Sequence, residues 1–278
     1  MGGIVTALRK VLEPIGVYHR LRASRIYDAY WRIAEPEILH ARDREVEFYR
    51  SLLRGLTEGD LIYDIGANHG YKTDIFLRLG ARVVAVDPDP ANHAILTQKF
   101  RSLRLVRRPV TIVQKAVSRE KGHMTLWIDE PGSAKNTLSP KWVDTLRHDS
   151  DRFGHTLTFN AQREVETTTI ADMIEVYGRP FFIKIDVEGH ELDVILGMRE
   201  PVPYLSFEVN LPEFLSEGLE CVKALDRLGP NSLFNYSPSV ETGLALPQWL
   251  PAAPFSEAVS ACGTSSIEVF CATRLLAD

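Results

Sequence analysis

The sequence predicts an α/β fold: a Rossmann-like open sheet, mostly parallel, with helices on both faces. Three observations predict it. Short apolar runs alternate with segments of helical period along most of the chain. The run Leu61-Ile62-Tyr63-Asp64-Ile65 ends in a tight loop, Gly66-Ala67-Asn68-His69-Gly70, after which Tyr71, Ile75, Phe76 and Leu79 return at helical spacing. A second strand, 82–86, then ends in Asp87. In such sheets a glycine loop lets the backbone approach a nucleotide-like ligand, and an acidic residue at the second strand tip accepts ribose hydroxyls.

The charge of Asp64 points to the kind of ligand. A dinucleotide loop would carry a middle glycine and no carboxylate, because its pyrophosphate is anionic. Here the middle glycine is missing, and Asp64 favours a ligand bearing an ammonium or sulfonium. S-adenosylmethionine carries both, together with a ribose for Asp87. The pattern looks like the first two cofactor motifs of class I methyltransferases. The expected contacts are Asp64, Gly66, Ala67, Asn68, Gly70, Asp87 and Pro88, with Lys115 and Ala116 near the adenine and Asp186 across the cleft. The alternatives are an NAD-dependent Rossmann oxidoreductase and a non-catalytic cofactor-binding scaffold.

At 278 residues the chain divides into an N-terminal helical extension, 1–36, and a catalytic domain, 37–278, with a lid insertion at 129–164. The net charge of −5 gives no general attraction to nucleic acid. Cys221, Cys262 and Cys271 are widely spaced and odd in number, so free thiols and a cytoplasmic location are expected. No apolar run reaches the roughly 18 residues a membrane span needs, and no signal peptide is expected.

Within 1–34, Arg9, Lys10, Arg20, Arg22, Arg25 and Arg32 outnumber the acidic residues. One reading is an amphipathic arm touching an anionic membrane surface or a partner. The favoured reading is a helical extension packed on the core or on a second subunit of a homo-oligomer. A helix is expected over 37–56, closed by Gly55 and Gly59. After Asp87, Pro88-Asp89-Pro90 opens a helix. The basic run Arg101, Arg104, Arg107, Arg108 then leads to a third strand, 110–113. Residues 124–128 alternate like a strand. Pro131, Gly132, Pro140 and Gly154 mark loops in the insertion, which holds one short helix around Trp142. Strands are expected at 165–169, 181–186, 204–209, 233–236 and 267–272. Helices are expected after Thr169, after Glu191 and, with Phe214 inside, after Pro212, and an irregular loop where Pro247, Pro251 and Pro254 fall.

The parallel strands would bring Asp64, Asp87, Asp186 and Glu208-Val209-Asn210 to one edge. Asp186, Glu188 and His190 alternate, so in extended backbone they would face one pocket, and they are the candidate catalytic residues. Three uses are open. Asp186 or His190 acts as general base on a substrate hydroxyl. The carboxylates hold a hard cation such as Mg²⁺. Or they fix the loop and the cofactor's methionine part, with transfer driven by proximity. A resident metal is not the expectation.

The stretches Asp64–Gly70 and Phe182-Ile183-Lys184-Ile185-Asp186-Val187-Glu188-Gly189-His190-Glu191 resemble the FkbM family of S-adenosylmethionine-dependent methyltransferases. Val86-Asp87-Pro88-Asp89-Pro90-Ala91-Asn92 and Phe207-Glu208-Val209-Asn210 are similar to its other motifs. The likeness covers about 60–215. It implies a seven-stranded class I methyltransferase sheet with an antiparallel last strand. It also implies S-adenosylmethionine as cofactor and O-methylation of a hydroxyl on a small molecule, sugar, glycan or polyketide-type metabolite.

Overall fold

The structure is a computed structural model that describes residues 36–100, 110–148 and 157–273. The N-terminal extension and the basic run at 101–108, with the membrane and subunit readings attached to the former, lie outside the described residues.

A seven-stranded sheet carries the chain, in the order β3-β2-β1-β7-β8-β10-β9. These strands are β1 (Leu61–Ile65), β2 (Arg82–Val86), β3 (Val110–Val113), β7 (Phe182–Ile185), β8 (Tyr204–Asn210), β9 (Leu233–Ser237) and β10 (Ser266–Ala272). β1 pairs in parallel with both β2 and β7, whereas β10 is antiparallel to β8 and to β9. All five residues of β1 and all four of β7 are buried. Both sheet faces are covered, so central strands read as continuous apolar runs. This is the class I methyltransferase arrangement the sequence predicts, antiparallel last strand included.

Helices α1 (Pro36–Leu52), α2 (Tyr71–Arg78) and α3 (Pro90–Phe100) accompany the first half of the sheet. Tyr49 of α1, Phe76 of α2 and Phe182 of β7 meet under it, with edge-to-face ring pairs at 5.2 and 5.6 Å. Such pairs add about 0.5–1.5 kcal/mol each beyond the area they bury. The other face is covered by a larger apolar cluster that includes Val194 of α6 (Glu191–Leu196), Val222 of α7 (Leu215–Leu228) and Ile170 of α5 (Ile170–Tyr177).

Two regions differ from the expectation. A second sheet, in the order β4-β6-β5, joins β4 (Ala116–Val117), β5 (Gly122–Ile128) and β6 (Ala161–Thr168). β6 begins four residues before the predicted Val165, because Ala161 pairs with Ile128 across an antiparallel ladder. Its first half is solvent-exposed on both sides and carries no apolar signal to read. The insertion predicted at 129–164 is therefore a strap, 129–139, followed by α4 (Pro140–His148), and its last residues belong to a sheet. The second difference is α8 (Ala252–Ser260), where an irregular loop was expected. Pro251 caps this helix and Pro254 lies in its first turn, where a missing N–H costs nothing. Phe255 anchors it, stacked on Phe234 at 5.4 Å.

Candidate active site

The cleft lies at the C-terminal ends of β1, β2 and β7. Its floor is set by backbone contact. At Gly66, φ is 82°, and a Cβ there would lie 1.7 Å from the carbonyl oxygen of Asp186. The glycine thus lets the β1 loop touch the end of β7 directly. Gly66 N and Ala67 N both donate to Val86 O, at 2.9 and 3.0 Å, which ties the loop to the tip of β2.

Asp87 follows that tip and is 6% exposed. Its carboxylate accepts from Asn68 N at 2.8 Å, Asp89 N at 2.9 Å and Asn92 Nδ2 at 3.1 Å. Burial nevertheless pushes its pKa up to about 6. Gly66, Asn68, Asp87 and Pro88 line the cleft on this side, and Lys115, Ala116, Val117 and Leu126 line its far end. Lys115 also pairs with Glu166. Three predicted contacts face elsewhere. Asp64 is buried against the sheet and accepts from the Thr73 hydroxyl at 2.5 Å, and burial raises its pKa. Ala67 packs with Ala85, Leu96 and Phe100. A Cβ on Gly70 would meet Phe100 at 2.6 Å. These residues shape the loop; they do not line the cleft.

The strap crosses the cleft and is latched at both ends. Asp89 Oδ2 accepts from Gly132 N at 2.7 Å and from Asn136 Nδ2 at 2.8 Å. Asn68 Nδ2 donates to Gly132 O at 3.2 Å. At the other end, Thr137 Oγ1 donates to the carbonyl of Glu188 at 2.7 Å. Ser133, Ala134, Asn136 and Leu138 form the strap's contribution to the cleft wall.

Opposite Asp87, Asp186, Glu188 and Glu208 bring carboxylate oxygens within 4.8 Å of one another. They are the one such group among the described residues that could hold a metal ion. Lys184 lies behind them, its side chain 4% exposed, with its ammonium 2.7 Å from Asp186 Oδ2. That contact holds the Asp186 pKa down against burial. Asp186 and Glu208 share a hydrogen bond. Burial, then the charge of Asp186, pushes Glu188 up to about 8 and raises Glu208 well above the carboxylate range. Trp142 Nε1 donates to Glu188 Oε2 at 2.9 Å.

His190 does not join this group. Its ring contacts Ser118 Oγ at 3.1 Å and sits 3.3 Å from Asp193, and burial lowers its pKa. The alternation argument fails here because the segment is not extended: Glu188 has φ 54° and Gly189 φ 90°. Lys184, Asp89 and Trp142 were missed as site residues. A lysine inside the apolar run of β7 was a readable signal, since buried lysines are nearly always paired. The latch on Asp89 had no signal, because it depends on residues more than forty positions away.

The family model of the methyltransferase FkbM domain matches residues 64–216, which span both strand tips and the carboxylate group. The chain belongs to the FkbM methyltransferase family. Hexuronic acid methyltransferase AglP of Haloferax volcanii is 26% identical over 179 residues, covering 62% of this chain and 65% of that protein. The chain thus spans less than two thirds of this curated relative. Among solved structures, a TehB-like SAM-dependent methyltransferase from Corynebacterium glutamicum aligns over 83% of this chain and 88% of its own, with a TM-score of 0.43 and 10% identity. The plantazolicin methyltransferase BpumL in complex with SAH aligns over 97% and 99%, with a TM-score of 0.38 and 9% identity.

The cofactor of this FkbM protein is S-adenosylmethionine. The residues present fit it. Asn92 Oδ1 is buried without a hydrogen-bond partner among the described residues, and Asn92 lines the cleft beside Asp87. Asp87 and Asn92 would hold the ribose, and Val86, Val117 and Leu126 offer apolar surface to a base. Asp186, held ionised by Lys184, would present negative charge to a sulfonium.

Proposed function

We propose that the protein is an O-methyltransferase that moves the methyl group of S-adenosylmethionine to a hydroxyl of a sugar, glycan or related polyketide-type metabolite. The observation that carries this reading is the meeting of the FkbM cofactor loop and the carboxylate group on one cleft. The bound cofactor supplies an electrophilic methyl on a sulfonium. The chain's own residues align the acceptor oxygen, keep the strap closed over the cleft and receive the hydroxyl proton as the new bond forms. A second cavity of about 170 Å³ opens beside Glu208 and is lined also by Ser139, Lys141, His190, Phe214 and Glu217. We assign it to the acceptor. Its mixture of hydrogen-bond donors and acceptors suits a polyhydroxylated molecule. The hexuronic acid named for AglP is in keeping with this class.

The test is transfer of label from methyl-tritiated S-adenosylmethionine to a panel of hexoses, hexuronates, glycans and hydroxylated polyketides. A base-stable labelled ether supports the reading. A base-labile product is a methyl ester on a carboxylate and overturns it, and so does an N-methylated product.

A further inference from the structure

Two segments of the chain pass from the cleft to the second cavity, and they are tied together where they cross. After β7, Asp186, Val187 and Glu188 line the cleft, whereas the next three residues, Gly189, His190 and Glu191, line the second cavity. The strap makes the same passage. Its residues up to Leu138 line the cleft, and Ser139 and Lys141 line the cavity. The tie is the hydrogen bond from Thr137 Oγ1 to the carbonyl of Glu188, at 2.7 Å. That carbonyl belongs to the Glu188–Gly189 peptide, where the lining changes from one space to the other. The two spaces are neighbours at the carboxylates as well. Glu208 lines the second cavity, yet its carboxyl lies within 4.8 Å of those of Asp186 and Glu188.

Thr137 is built as a fixed peg. It is 1% exposed. Its backbone exchanges both hydrogen bonds with Trp127 of β5, at 2.8 and 3.1 Å. Its hydroxyl accepts from Ser139 N at 2.9 Å and keeps its single proton for Glu188 O. The peptide it holds needs a restraint. Glu188 and Gly189 have φ of 54° and 90°, and the left-handed region is one a glutamate rarely enters unless its surroundings impose it. A Cβ at Gly189 would lie 2.6 Å from the Phe214 ring, so the turn is packed tightly on that side. Gly189 N donates to Glu191 Oε1 at 3.2 Å. Both polar ends of the peptide are thus committed, and its plane is set.

We propose that Thr137 is a positioning residue for methyl transfer: its hydroxyl holds the Glu188–Gly189 peptide as the partition between donor and acceptor. The partition fixes the approach of the acceptor oxygen to the methyl group. Thr137 acts through the peptide and not on the reacting atoms. Without the hydroxyl, the peptide is held at its N–H end alone, the left-handed turn relaxes, and the Glu188 carbonyl rotates into the passage. The Gly66 loop and Asp87, which hold the donor, lie on β1 and β2 and keep their own hydrogen bonds. A misplacement of about 1 Å in a bound reactant costs on the order of a hundredfold in rate. The hydroxyl therefore sets turnover far more than donor affinity.

This inference rests on reading the second cavity as the acceptor's, and its test separates the two. Thr137→Val keeps the branched shape and loses the hydroxyl; Thr137→Ser keeps the hydroxyl and loses the methyl. Both full-length variants are titrated with S-adenosylhomocysteine in a calorimeter. Transfer from methyl-tritiated S-adenosylmethionine is then measured to the sugar or polyketide that the wild type methylates, with kcat and acceptor KM separated. S-adenosylhomocysteine affinity should stay within about threefold in both variants, while kcat falls about a hundredfold in Thr137→Val with a smaller change in KM. Thr137→Ser should return to within about threefold of wild-type kcat. Amide exchange at 187–190, with S-adenosylhomocysteine bound, should quicken in Thr137→Val and not in Thr137→Ser. Should Thr137→Val not fold, Thr137→Ala set against Thr137→Ser makes the same comparison. A threonine that only fills space gives the opposite order, with serine the poorer variant, and that order overturns the inference. Wild-type kcat or wild-type exchange in Thr137→Val overturns it too, while the acceptor reading stands. If the wild type binds S-adenosylhomocysteine and methylates no hydroxyl of the panel, the acceptor reading fails, and the exchange result still decides whether Thr137 holds the peptide.

Discussion

The tips of β2 and β7 both end in an aspartate, yet their surroundings are opposite. Asp87 is met by two backbone N–H groups and an amide side chain, so its charge is met by fixed dipoles that recognise shape. Asp186 is met by one lysine and by two further carboxyls, so its surroundings are made of titratable groups. The difference sets a side of fixed dipoles against a side of ionisable groups within one cleft. Dipoles hold a ligand without changing state, whereas clustered carboxyls respond to each charge that arrives.

The contrast can be broken most severely at the point where the two sides touch. Gly66→Ala drives a Cβ into the Asp186 carbonyl, and donor affinity should fall by about a hundredfold or more in calorimetry. Near-normal affinity would show that this backbone contact does not define the cleft. Next in size, Lys184→Met strands Asp186 and should cost about 3–5 kcal/mol in chemical denaturation. Adding Asp186→Asn should recover a large part of that loss, and purely additive losses would remove the ion pair from the account. On the dipole side, Asp89→Asn removes one latch of the strap. Donor affinity should weaken by about tenfold, and proteolysis at 130–138 should quicken. Unchanged cleavage would mean that the strap is held without Asp89.

A smaller and more graded effect comes from pH. Asp87, Glu191 and Glu188 have pKa values raised to about 6, about 7 and about 8. Each binds more protons folded than unfolded between its unfolded and folded values, so stability falls as pH rises through that window. The melting temperature of the cofactor-free protein should drop by several degrees from about pH 5 to about pH 8, and less in Glu188→Gln. A rising curve would contradict the assignment. The smallest effect belongs to His190→Ala, which loses the Ser118 contact. It should cost about 1 kcal/mol of stability and leave donor binding intact. A collapse of methyl transfer at unchanged stability would return His190 to the role of base.

The dipole side was largely legible in the sequence, because glycines and strand-end acids act through local backbone geometry. Gly66, Asn68 and Asp87 lie where the pattern put them. Asp64 was read for its charge, yet the pleat of β1 turns its side chain under the sheet towards Thr73 and Lys184. The carboxyl side was half legible. Asp186 and Glu188 were named, but two left-handed residues in a row redirect His190, and no periodicity rule announces such a turn. Glu208 was placed on the same edge as Asp186, and the register of β7 with β8 brings the two carboxyls together. The early half of β6 and the α8 helix were missed for the reasons composition imposes: one shows no apolar face, and the other begins among prolines.

The latch of the strap has a consequence for exchanging acceptor specificity between relatives. A chimera that swaps the strap and α4 alone would import a foreign partner for Asp89. Gly132 and Asn136 grip a residue encoded some forty positions earlier, so the graft must travel with its own Asp89 equivalent or preserve both donors. The unit that can be exchanged as a block therefore begins at the Pro88-Asp89-Pro90 turn, well upstream of the strap itself.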